Sequence, residues 1–234
     1  MIISSSAIVL TKLKYRDNDL IIKLFVKELG LTSFIVRGGL KKNKSNHFQQ
    51  LSLLEIEFDF STKKSLHYFK EFEIKPNLKT VHTDLKKISI IIFLSEILSK
   101  ILIHQQKDYK LYDFIEDAIK YFDKNIFSSS FHIIFLINLS KYLGFYPEIK
   151  NNDYQYFDLH SGSYTNKKNS DYIIYDDELD CFNKILGINF DDLKTLTFTP
   201  MQRKKLLDNI ILYYRLHNEN FTSLKSLEVL RKLF

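Results

Sequence analysis

Residues 5–36 read SSAIVLTKLKYRDNDLIIKLFVKELGLTSFIV, and their rhythm decides the fold. Over residues 5–14 the side chains alternate. Ala7, Val9, Thr11 and Leu13 fall on one face, and Ile8, Leu10, Lys12 and Lys14 on the other. A period of two marks a half-buried strand, because successive side chains leave opposite sides of the pleat. Residues 15–18 form a polar turn, and 19–27 are a second β-branched and aromatic run. Glu28-Leu29-Gly30 is a tight turn in which Gly30 can take a positive φ, and 31–36 are a third strand. Outward from this core, 37–47 form a basic loop containing Gly38 and Gly39. Residues 51–60 and 66–74 then form a hairpin across 61–65. Pro76 and Asn77 end the module, and a linker runs to Thr83.

Five short strands in about 80 residues predict a small closed barrel of the OB-fold type, although an SH3-like barrel has a similar rhythm. From Thr83 onward the period is helical. Thr83 or Asp84 caps a central helix through His104, a second helix covers 111–123, and Ser128–Ser130 cap a third that ends before Gly144. Residues 146–174 break the pattern; they are polar and aromatic, with a hairpin centred on Ser161-Gly162. Helices return at 177–186, from the Thr199-Pro200 start to about Leu216, and at 224–232. The expected class is α+β: an OB-type barrel over residues 1–79, then a helical domain over 80–234 with a hairpin insertion near 146–175.

Charge follows the same division. The chain of 234 residues has a formal net charge of +6, and residues 1–79 alone balance at +6 while the remainder balances at zero. A basic β-module on a neutral helical body suggests one part that touches a polyanion and another with a separate task. The lone Cys181 excludes an internal disulfide framework and zinc sites built on paired cysteines, and fits a reducing cytosol. The most apolar run, 88–95, is far too short to span a membrane.

Enzymatic signatures are missing: there is no G-x-S-x-G, phosphate-binding glycine loop, dinucleotide fingerprint or H-E-x-x-H. The histidines are scattered; His104 and His132 read as helix residues, not ligands. The acids Asp176, Asp177 and Glu178 read as a helix start. Nucleic-acid binding is better supported. No acid occurs from Leu29 to Leu54, while Arg37, Lys41, Lys42 and Lys44 share one loop with small and hydrogen-bonding residues that let backbone amides approach a phosphate. Lys12 and Lys14 project from the first strand, Arg16 follows in its turn, and Phe34, Phe48 and Tyr68 are candidate stacking aromatics. An RNA-binding barrel or a protein-interaction scaffold would carry similar residues.

Several strings then resemble one family, the bacterial repair and recombination mediator RecO. They are AIVL with DND-L at 7–10 and 17–20, LFVKELG at 24–30 leading to RGGLKKNKS at 37–45, and QLSLLEIE at 50–57. YLGFYP at 142–147 and the closing YYRLH and LKSLEVL at 213–217 and 224–230 complete the set. The resemblance implies binding of single- and double-stranded DNA, annealing of complementary strands, and help in loading recombinase onto DNA coated by single-strand-binding protein. It implies RecR and the C-terminal tail of that coating protein as partners, a cytoplasmic, nucleoid-associated location, no membrane contact and no catalysis. Many relatives carry a four-cysteine zinc site after the position of Pro147. Here Asn151-Asn152-Asp153-Tyr154 stand there, so no cofactor is expected. For the partner tail, Arg203, Lys204, Lys205 and Arg215 are candidate cations.

Overall fold

A computed structural model describes residues 1–41, 44–75, 78–103, 105–149 and 154–233. The first 74 residues carry five strands: β1 (Ile2–Tyr15), β2 (Asp19–Val26), β3 (Gly30–Val36), β4 (Leu53–Asp59) and β5 (His67–Ile74). Among the described residues six α-helices follow: α1 (Leu85–Ile101), α2 (Tyr109–Lys124), α3 (Phe131–Tyr142), α4 (Asp176–Asn183), α5 (Pro200–His217) and α6 (Ser226–Leu233). The strands close in the order β1-β2-β3-β5-β4, with β1 pairing β4 to complete the ring. Every pairing is antiparallel except β3 with β5. This is the OB-fold order, so the barrel expected from the strand rhythm is present and the SH3-like alternative is set aside.

The barrel core is built from one face of each strand. Ala7, Val9, Ile22, Leu24, Phe34, Leu54, Ile56 and Phe58 form a single buried cluster. Phe48, on the 3₁₀ segment Lys44–Phe48 between β3 and β4, enters the same cluster and plugs it. The regular alternation expected along all of β1 fails midway. A β-bulge between Val9 and Thr11 resets the phase, so Lys12 pairs with the core residue Ile22 and Lys14 with Leu20. Residues opposite each other across a ladder share a face, so Lys12 and Lys14 move to the side of the barrel mouth while Leu13 turns out to solvent.

Two compact units divide the chain. One comprises Met1–Asn125 with Leu224–Leu230, and the other comprises Ile126–Ser223 with the residues after Leu230. In the first, α1 packs on β1, and Ile8 and Leu10, on the outer side of the strand, are fully buried. Ser95 Oγ donates to the Leu10 carbonyl. Asp84 caps α1 by accepting from the Lys86 and Lys87 amides, as the sequence predicts. Lys75 ties the barrel to α2, reaching Glu55 at 2.7 Å and Glu116 at 2.9 Å.

The linker to α1 is anchored by a buried charge network. The Asp123 carboxylate, near the end of α2, accepts from the backbone amides of Lys79, Thr80 and Val81 at 2.8, 2.6 and 3.0 Å. Burial alone would raise its pKa, but these donors outweigh it and hold the carboxyl below the usual carboxylate range. A depressed carboxyl contributes stability that is present above its unfolded pKa and is lost as pH falls through the folded one. Wild type should therefore lose melting temperature more steeply than Asp123→Asn between about pH 5 and pH 3. Parallel acid profiles by circular dichroism would show that Asp123 has no such role.

In the second unit, α3 is buried on nearly every side. Tyr214 on α5 donates from its buried hydroxyl to the Leu136 carbonyl at 2.6 Å. The expected hairpin is present as β6 (Tyr156–Asp158) and β7 (Ser163–Thr165). A third short strand, β8 (Ile173–Ile174), joins it on the far side of β6. Phe157 fills the space below, edge-on to Tyr164 and 4.9 Å from Phe182. The start of α5 carries the expected cap, with Thr199 accepting from the Gln202 amide and Pro200 at the first helical position. No helix among the described residues is long and apolar enough to cross a membrane.

Candidate nucleic-acid interface

Two loops build one end of the barrel and hold each other. The Gly38 amide donates to Asp19 Oδ1 at 2.8 Å, and the Leu40 amide donates to the Asn18 carbonyl at 3.0 Å. The loop after β3 is thereby fixed to the β1–β2 turn. The Lys41 amide closes a turn onto the Gly38 carbonyl. Lys12 Nζ donates to the Ser45 carbonyl at 3.0 Å and ties the 3₁₀ segment to β1. These contacts bring Lys12, Lys14, Arg16, Arg37, Lys41 and Lys44 to the same rim; Lys42 lies outside the described residues.

The rim cations differ in what they already do. Lys12 is half-buried, its ammonium is occupied by Ser45, and burial lowers its pKa. Lys14, Arg16, Arg37, Lys41 and Lys44 are exposed, and among the described residues none forms an ion pair with a carboxylate. Arg16 lies over the Tyr15 ring at 5.1 Å and Arg37 over the Tyr68 ring at 4.9 Å. Elsewhere in this unit several lysines meet acids: Lys27 pairs with Asp113 at 2.7 Å and Lys107 with Glu28 at 2.9 Å.

Asp17 and Asp19 lie at the β1–β2 turn on the rim, where Asp19 is taken up by the Gly38 amide, but the barrel's glutamates gather on another surface. Glu55 stands opposite Glu73 and Glu57 opposite Glu71 across β4 and β5. With Glu28 and Lys27 they line a cleft beside Ser4, Ser5 and Ser6 that meets the cleft at Arg37 and Tyr68 only at Phe72. Like charges placed directly across a ladder repel; Lys75 offsets Glu55 and Lys107 offsets Glu28, while Glu57, Glu71 and Glu73 keep this face negative. The barrel is electrically two-sided, which sequence charge counting alone could not reveal.

Of the three aromatics singled out from the sequence, two are corrected by the structure. Phe34 and Phe48 are fully buried in the barrel core, with Phe34 stacked on Phe69 at 4.5 Å, so neither can meet a base. Tyr68 is 45% exposed. Phe72, which the sequence reading passed over, is also exposed. Its position opposite the core residue Ile56 would normally bury it, but it sits at the barrel mouth, 5.0 Å from Phe48.

Other reactive residues are accounted for by structure. Asp176, Asp177 and Glu178 occupy the first turn of α4, and Glu178 is held by Lys205 at 2.9 Å and Asn209 at 3.1 Å. His132 is buried, and desolvation pushes its pKa down to about 3. Of the candidate tail-binding cations, Lys205 is thus paired, and Arg203 donates to the Phe198 carbonyl at 2.5 Å. The four-cysteine zinc site has no donor set in this chain. Cys181 is the single thiol, it is buried, and burial pushes its pKa up, away from the thiolate a metal needs. Residues 151–153 lie outside the described residues.

Fold and rim together define the class: an OB-fold protein with a basic barrel end joined to helices. The chain belongs to the RecO family, since residues 1–77 match the family model described as Recombination protein O N terminal and residues 82–228 match Recombination protein O C terminal. Proteins named DNA repair protein RecO from Flavobacterium psychrophilum and Flavobacterium johnsoniae are each 35% identical to it. The one from Christiangramia forsetii is 33% identical. In all three cases the similarity covers 100% of both chains.

Proposed function

We propose that this protein is a non-catalytic mediator of DNA repair and recombination. In this reading, residues 1–79 bind single- and double-stranded DNA and 80–234 form the helical partner module. Arg37, Lys41, Lys42 and Lys44 contact phosphates, assisted by Lys14 and Arg16, while Lys12 orders the loop that presents them. Phosphates carry no sequence, so sequence preference is weak. The observation that carries the reading is the row of exposed cations, unpaired among the described residues, on one rim of the barrel, with the glutamates on a different face. A polyanion is attracted to the first and repelled by the second.

Annealing follows from the same rim. Two complementary strands held on one basic surface are concentrated and their mutual repulsion is screened, while the energy of pairing belongs to the DNA. The mediator role also includes RecR and the acidic tail of single-strand-binding protein as partners, recombinase loading as outcome, and the cytoplasmic nucleoid as location. Family membership supports these. Wild type should speed annealing of complementary oligonucleotides without a nucleotide cofactor, and the triple change of Lys41, Lys42 and Lys44 to Ala should slow it about ten-fold or more. Binding of RNA in preference to DNA, or of a partner peptide with no nucleic-acid affinity, would contradict the reading.

A further inference from the structure

We propose that the cleft where β3 and β5 part holds an unpaired nucleobase stacked on Tyr68, so that the barrel favours single strands over duplex. This rests on the phosphate-binding reading above and names what the same end of the barrel recognises. The β3–β5 seam is the short one of the barrel: only Phe34 with His67 and Ile35 with Tyr68 are paired. Beyond Ile35 the strands separate, leaving a surface cleft of about 390 Å³ lined by Val36, Arg37, Tyr68, Phe69, Lys70 and Phe72.

Three properties of that cleft fit a single-stranded nucleotide. Its walls are aromatic and reachable, with Tyr68 45% and Phe72 36% exposed, and such rings take bases of any identity by stacking. The Arg37 guanidinium lies over the Tyr68 ring, 4.9 Å from its centroid, so a positive charge stands beside the aromatic surface and can follow a phosphate as a base takes its place on the ring. Finally, the cleft reaches the rim residue Arg37, and it shares only Phe72 with the neighbouring cleft that Glu71 and Glu73 line. A phosphate on the rim and its base in the cleft are therefore one nucleotide's two ends. A base inside a duplex is already stacked and paired and has no exposed face to offer.

The test measures binding of Tyr68→Ala and Tyr68→Phe to a fluorescent oligothymidylate, to an abasic strand of the same length and to a duplex of that length. The expected result for Tyr68→Ala is a loss of about ten-fold on oligothymidylate with little change on the abasic strand and duplex, and an unaltered salt slope. Tyr68→Phe should bind as wild type does, because the ring is kept. Equal losses on all three probes, or none on oligothymidylate, would overturn the proposal while leaving rim binding intact. Wild type that binds none of the probes would overturn both.

Discussion

Lys87→Met should destabilise the first unit by about 3–5 kcal/mol, the range typical when one partner of a buried charged network is removed. Lys87 is 3% exposed, yet its three ammonium N–H groups reach four oxygen acceptors, one of them by a shared hydrogen. It donates to Thr80 Oγ1 at 2.7 Å and to the carbonyls of Phe122, Asp123 and Asn125 at 2.6, 3.1 and 2.7 Å. Those carbonyls end α2, where the helix has no partners of its own, and Lys87 caps them from α1. Met matches the length of the stem but leaves the acceptors unsatisfied and Asp123 without its nearest buried cation. Urea denaturation is the measurement, with the midpoint falling and the slope unchanged. A loss below about 1 kcal/mol would mean that water replaces the ammonium at little cost.

Gly30→Ala should be nearly as damaging, at about 3 kcal/mol or more, lowering the melting temperature by about 10 °C. Gly30 turns the chain from β2 into β3 with φ +84, a conformation that costs any other residue about 1–2 kcal/mol. A Cβ there would also stand 2.2 Å from the Gln105 carbonyl oxygen and 3.0 Å from the Gln106 carbonyl carbon, backbone atoms that cannot rotate away. Gly38 supplies the comparison. Its φ is +61, but the nearest atom to an added Cβ is Lys41 Cδ at 3.9 Å, so Gly38→Ala should cost the conformational penalty alone. Equal melting temperatures for the two variants would show that the residue 105–106 backbone yields to the methyl group.

Local signals explain why so much of the fold was legible. Strand alternation outside the β1 bulge, the Thr199-Pro200 start and the Asp84 cap depend on residues adjacent in sequence, and the structure has each of them. The β1 bulge was not legible because the residue that breaks the phase, Leu10, is itself apolar and keeps the pattern unbroken to the eye. Phe34, Phe48 and Tyr68 are equally aromatic in a string. Only closure of the barrel decides that two become core and one faces water. Nothing in the string singles out Lys87, because its burial depends on the end of α2, some 35 residues away. The rim loop was visible as a charge run, while its convergence with Arg16 required the contacts of Asn18 and Asp19.

If exposed cations at one end of the barrel neutralise phosphates, DNA binding must weaken with salt in proportion to the contacts made. The logarithm of the association constant for single-stranded DNA should fall linearly with the logarithm of salt concentration, by about 0.7 per phosphate contact. Changing Lys41, Lys42 and Lys44 together to Ala should flatten that slope by about 2 and weaken binding alike on every sequence. An unchanged slope, with affinity equal to wild type, would contradict the account and remove this rim from the DNA-binding surface.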